Sequence, residues 1–230
     1  SCDLENFKKE RSLVTDGCLD SYTNIWAPEL HKYRGKYYLI VSAYREDVDR
    51  GCFILVSDSL EHDFKMLTGE YITPKGWECL DGTLFVYQNK PYLCFSNNWT
   101  STITGDGDGS LFMAEMVGKP KKIISGKYSD CAIRLIRDDG VQGYIAEGPW
   151  LYEENSKIIL LWSTIGKNGY MVIKSTSANG ALGDYMFDSV VFDEDGGHCM
   201  RFTDLNEKSC ITFHQPNQTP YERMYVYPLK

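Results

Sequence analysis

The chain has 230 residues, 43% hydrophobic and 24% charged, so it can bury a core and is not a disordered polypeptide. Lys plus Arg number 24 against 32 Asp plus Glu, and the net charge of −8 argues against a nucleic-acid partner. No run of eighteen apolar residues occurs, so no membrane-spanning helix and no membrane partner are expected.

The chain opens on Ser1 with no apolar signal segment behind it, which suggests processing or a partial gene product. Residues 1–20 carry no hairpin of their own. After them one pattern recurs: an apolar strand, a turn ending in Lys, then a second apolar strand. The copies are Leu30–Ser42, Leu84–Ser96, Trp150–Ser163 and, less clearly, Met200–His214, with turn lysines Lys36, Lys90, Lys157 and Lys208. Third strands are expected at Cys52–Ser57, Leu111–Glu115 and Tyr170–Ser175, and short outer strands at Asp63–Met66 and Tyr185–Phe187. A period of roughly 50 to 70 residues holding several short strands is the signature of a β-propeller blade. A two-sheet sandwich is the alternative, but it gives no reason for the hairpin to repeat.

The eight cysteines show no two-residue spacing, so a zinc site is not expected. Scattered free thiols are expected, with a disulfide framework as the alternative. Asn98-Trp99-Thr100 and Asn217-Gln218-Thr219 fit a glycosylation pattern that is common by chance.

Before each hairpin stands a polar residue: Glu29, Asp81, Glu147 and His198. The innermost strands of a propeller line its channel, so these four are expected at equivalent positions near one mouth. Opposed carboxyl groups in such a place suit hydrolysis of a glycosidic bond.

At these residues the chain resembles glycoside hydrolase family 43, the five-bladed propeller arabinofuranosidases, xylosidases and arabinanases. The resemblance is carried by Trp26-Ala27-Pro28-Glu29-Leu30-His31, Leu80-Asp81-Gly82-Thr83-Leu84-Phe85, Glu147-Gly148-Pro149-Trp150 and Gly196-Gly197-His198-Cys199-Met200. His214-Gln215-Pro216-Asn217 and the following residues to Arg223 continue it. It implies one all-β propeller domain over 1–230, with 1–20 a remnant of the first blade and about 22–230 four near-complete blades. It implies Glu147 as general acid and Asp81 as the carboxylate that orients it and tunes its pKa. Trp26, Glu29, Trp150 and Arg223 would contact the sugar, Trp26 as a stacking face. His198 would meet an ion on the channel axis, often calcium, through water, and no organic cofactor is implied. The partner would be an oligosaccharide or polysaccharide with arabinofuranosyl or xylosyl linkages.

The family's general base is an Asp of the first blade, typically followed by Pro, and no Asp-Pro dipeptide occurs in these residues. Asp16 and Asp20 lie in the connection before the second blade and are not given that role. An inverting mechanism needs a base to activate water about 6.5–9.5 Å from the acid. The base is thus not found in the chain, and as it stands the chain is expected to be a poor hydrolase.

Two rival readings remain. Trp77-Glu78-Cys79-Leu80-Asp81 resembles the acid motif of retaining fructosidase propellers, with Glu78 as acid. That motif needs an Arg-Asp-Pro upstream, and Arg137-Asp138-Asp139 lies downstream without the Pro. A propeller without its base could also bind carbohydrate and not cleave it. Gly105–Gly109 reads as a glycine-rich turn and not as a calcium loop, because Val117 stands where an EF-hand needs a carboxylate. Asp193-Glu194-Asp195 reads as a solvated acidic loop near the channel mouth. For localisation the thiols favour the cytoplasm, whereas a polysaccharide substrate favours the exterior.

Overall fold

A computed structural model describes residues 3–98, 109–117, 123–130 and 145–229. Among them are fifteen strands in four antiparallel sheets, and no helix. The first sheet is β1 (Thr23–Tyr33), β2 (Lys36–Arg45), β3 (Val48–Ser57) and β4 (Lys65–Met66). The second is β5 (Cys79–Tyr87), β6 (Lys90–Asn97), β7 (Ser110–Met116) and β8 (Ile123–Asp130). The third is β9 (Glu147–Glu154), β10 (Lys157–Gly166), β11 (Gly169–Ser177) and β12 (Met186–Phe192). The fourth is β13 (Gly197–Thr203), β14 (Ser209–Gln215) and β15 (Arg223–Pro228).

The turn lysines recur because the first three hairpins close through two-residue turns. Arg34-Gly35, Gln88-Asn89 and Asn155-Ser156 all have positive φ, the backbone that lets a tight turn follow the right-handed twist of its strands. Lys36, Lys90 and Lys157 then open the second strands. The fourth hairpin closes through a longer turn in which the Asp204 carboxylate accepts the Asn206 and Lys208 N–H groups, each at 2.8 Å.

Alternate residues of the second and third strands feed different cores, since successive side chains point to opposite faces. Ile40, Cys52 and Ile54 pack with Leu84, Leu93, Phe95 and Phe112 between the first two sheets. Cys94, Leu111 and Met113 pack with Leu160, Trp162 and Ile173 between the next two. Ile159, Leu161 and Val172 pack with Cys199, Ile211 and Phe213 between the last two. Burial on both faces explains why these strands read as unbroken apolar runs. The first strands touch in order, β1 on β5, β5 on β9 and β9 on β13, which places them innermost, as in a propeller. No comparable contact joins β13 to β1 among the described residues.

Among the described residues of the expected 1–20 remnant no strand forms, and none does as far as residue 22. Instead Leu13, Val14, Cys18, Leu19 and Tyr22 cover the other face of the first sheet, against Leu39, Val41, Phe53 and Phe64. Leu13 accepts the Phe64 N–H at 2.8 Å. Strands β8 and β15 were not expected from the sequence. The six described cysteines are free. Cys2, Cys131, Asp106–Asp108, Arg137–Asp139 and the Trp99-Thr100 part of one glycosylation pattern lie outside the described residues.

Candidate active site

Each innermost strand is broken by an irregularity in its pairing with the second strand, and β1 by two. At that point stands a residue in the left-handed region: Ala27 (φ 46°), Asp81 (53°), Gly148 (58°) and His198 (55°). The residue before it pairs with the second strand: Trp26 with Ser42, Leu80 with Ser96, Glu147 with Ser163, Gly197 with His214. Register therefore makes Ala27, Asp81, Gly148 and His198 equivalent, and Trp26, Leu80, Glu147 and Gly197 equivalent. Non-glycine residues held in this region cost about 1–3 kcal/mol each and gather at functional sites.

These paired positions open onto one cavity of about 700 Å³. Trp26, Ala27, Leu80, Asp81, Glu147 and His198 line it from the inner strands. Thr212, Phe213, His214, Asn217, Glu222, Arg223 and Met224 line it from the last sheet. Of the residues expected at the site, Trp26, Asp81, Glu147, His198 and Arg223 are brought together. Glu29 and Trp150, also expected at the sugar, are not among the residues lining this cavity. Glu29 lies two positions past the left-handed residue of its strand and is bonded to His31 at 2.9 Å. Trp150 lies two positions past Gly148 and stacks on His31, with ring centres 5.7 Å apart.

Serines at the ends of the second strands fix the next sheet's cavity residue. Ser42 Oγ accepts the Asp81 N–H at 2.8 Å, and Ser163 Oγ accepts the His198 N–H at 2.8 Å. Ser96 Oγ instead donates to the Ala146 carbonyl. The equivalent N–H, that of Gly148, is taken by Asp81 Oδ2 at 3.0 Å. Asp81 is 4% exposed, so this bond gives a buried carboxylate a partner and locks the peptide next to Glu147. Gly148 cannot carry a side chain: a Cβ there would meet His198 at 2.9 Å. In the fourth sheet His214 stands at the serine position, 3.0 Å from Asn217 Oδ1 through its Nε2.

Tyr170 is the residue that sequence reasoning missed. It is 1% exposed, and its hydroxyl donates to Glu147 Oε1 at 2.7 Å. Its N–H donates to Asp195 Oδ1 at 3.1 Å, and its ring stacks on His214 at 5.5 Å. A tyrosine inside an apolar strand reads as core; the one available signal is that a buried hydroxyl needs a partner. Burial, then the charge of Asp81, raises the Glu147 pKa above the usual carboxylate range, while Tyr170 and His198 pull it back. The hydroxyl of Tyr170 is itself pushed well up, first by burial and then by Glu147.

A calcium ion takes six to eight oxygen ligands. Among the described residues no group of three or more His, Cys, Asp or Glu side chains could hold a metal. His198 Nδ1 has Asp81 Oδ2 at 3.9 Å beside it. These side chains do not fit a metal as direct ligands.

The model of glycosyl hydrolases family 43 matches residues 1–226, and the chain belongs to that family. It is 30% identical over 156 residues to an extracellular exo-α-(1→5)-L-arabinofuranosidase of Streptomyces chartreusis, covering 63% of this chain and 44% of that protein. The chain thus spans less than half the length of that relative. It superposes on the crystal structure of an endo-arabinase from Bacteroides thetaiotaomicron with a TM-score of 0.80 and 30% identity, covering 90% of this chain and 76% of the other. An endo-1,4-β-xylanase from the same organism gives 0.80 and 23%, covering 100% and 80%.

Proposed function

We propose that this chain forms most of an inverting glycoside hydrolase acting on arabinofuranosyl or xylosyl linkages of plant cell-wall polysaccharides or oligosaccharides. The observation that carries the reading is the joint opening of Glu147 and Asp81 onto one cavity, with the proton affinity of Glu147 raised. Glu147 is the general acid and protonates the leaving-group oxygen. Tyr170 occupies Oε1, which leaves Oε2 to carry that proton. Asp81 keeps the acid oriented through the Gly148 N–H and raises its proton affinity by charge. Trp26 provides an apolar wall for a sugar face and Arg223 a donor at the rim. The Asp-Pro that carries the general base in this family has no counterpart in these 230 residues. Relatives described as an arabinofuranosidase and an endo-arabinase support arabinan as substrate, and the xylanase keeps xylan as the second choice.

General acid–base steps contribute about 10²–10⁴-fold each, so the 230 residues alone are expected to be nearly inert. The test assays this chain, and the longest polypeptide its gene encodes, on nitrophenyl arabinofuranoside and xyloside, with product anomers followed by NMR. Activity of the longer protein that is lost on Glu147→Gln, with inverted product, supports the reading. Full activity in the 230-residue chain, retained configuration, or indifference to Glu147→Gln would overturn it. Sugar binding without turnover in both forms would instead favour a carbohydrate-binding propeller.

A further inference from the structure

Trp26 sits on a badly supported stretch of strand. Asn24 and Ala27, on either side of it, are both left-handed, with φ of 49° and 46°. Pairing of β1 with β2 is irregular both before and after Trp26. The ladder therefore fixes this segment weakly, and Trp26 is 47% exposed, so core packing does not fix the indole either.

Arg50, near the start of β3, meets both weaknesses. It is 7% exposed, which is unusual for an arginine and costs free energy unless the charge is used. Its guanidinium carbon lies 3.9 Å from the centre of the Trp26 ring and 5.7 Å from that of Tyr44. Its Nη1 donates to the Asn24 carbonyl at 3.2 Å. Glu78 and Asp81 act on it through space, and among the described residues it makes no direct ion pair. Trp26 lines the cavity, and Arg50 is not among its lining residues.

We propose that Arg50 is a positioning residue, which clamps Trp26 and its bulged backbone so that the free indole face stands ready as the sugar-stacking wall of the cavity. The inference rests on the proposed sugar-binding role of Trp26. The planar guanidinium suits the task because it can stack on a ring and donate in its own plane at once. A clamp of this kind lowers the ordering cost of binding and acts on affinity for the sugar, not on proton transfer.

The test labels the 230-residue chain with 5-fluorotryptophan, assigns the Trp26 resonance by Trp26→Phe, and measures binding of arabinotriose and xylotriose by calorimetry. In Arg50→Met the Trp26 resonance is expected to shift or broaden while the other tryptophan resonances hold. Affinity for the better trisaccharide is expected to fall roughly tenfold, the scale of one desolvated cation–π contact. Arg50→Lys, which keeps a cation but not the planar stack, is expected to recover only part of that affinity. Should Arg50→Met fail to fold, Arg50→Gln keeps a donor for Asn24, removes the charge, and carries the same expectation. An unmoved Trp26 resonance in the neutral variant overturns the proposal. If Trp26→Ala keeps full trisaccharide affinity, the sugar-wall role fails, while the resonance still decides whether Arg50 orders the ring.

Discussion

Glu147 is held against its own ionisation by burial and by Asp81, and that has a consequence for stability. A carboxyl whose pKa is higher in the folded chain binds its proton more tightly there. Its stabilising contribution is complete below the unfolded value, about 4.3, and is lost as pH rises through the folded value. At pH 7, well above the unfolded value, burying the Glu147 carboxyl therefore opposes folding more than it does in acid. Glu147→Gln stays neutral and can still accept from Tyr170, so it is expected to melt above the wild type at pH 7. The gain should fade below about pH 4, where the wild-type side chain is protonated too. Each kcal/mol would read as roughly 2–4 °C in a chain of this size. Melting curves at the two pH values decide the matter; a variant that is less stable at pH 7 would mean the carboxylate is a structural partner and not a strained one.

The turns and irregular pairings of the inner strands explain what could be read in the sequence and what could not. A two-residue hairpin turn followed by Lys is a local device, so three hairpins and the third strands behind them were legible. The edge strand β15 was not, because its Met224, Tyr225 and Tyr227 are exposed and its sequence lacks a clean inside–outside alternation. In Ile123–Asp130 a central Gly and scattered polar residues hid β8 in the same way. At the site, taking the polar residue before each hairpin put Glu29 in line with Asp81, although an equal count back from Lys36 and Lys90 reaches Ala27, the residue that register makes equivalent to Asp81. Trp26 and Arg223 were legible through motif order. Tyr170 was not, because its bond to Glu147 spans two strands of one sheet.

The same local geometry gives an element-scale prediction. A Cβ on Gly197 would stand 2.4 Å from the Tyr170 ring and 2.9 Å from Ser163 Oγ. Gly197→Ala is expected to cost about 1–3 kcal/mol by overpacking and to disturb the Tyr170–Glu147 bond. Gly69→Ala, with nothing within 4 Å of the added methyl, is the control and should stay within about 0.5 kcal/mol of wild type. Urea midpoints measure both; equal midpoints would show that the β11–β13 contact is slack.

At the scale of the whole molecule, three inter-sheet cores among the described residues hold four sheets in sequence, and there the first and last sheets are not joined as the others are. Ile25 and Leu30 on β1, and Met200 and Met224 on the last sheet, are exposed. Neighbour-only contacts make stability uneven, highest where both faces of a sheet are covered. Amide hydrogen exchange of the 230-residue chain is expected to be slowest in β6 and β10 and fastest among the strands in β1 and β15. Equal protection of β1 and β10 would show that the open side is covered in solution, for instance by a second copy.

The serine bonds also put each sheet out of step with the residue it serves. Ser42 of the first sheet sets Asp81 of the second, Asp81 sets the peptide beside Glu147 of the third, and Ser163 of the third sets His198 of the fourth. A graft that moved one whole sheet between relatives would separate each cavity residue from the group that aims it. The exchangeable unit is a frame shifted by one strand pair, in which the second strand of one sheet travels with the first strand of the next.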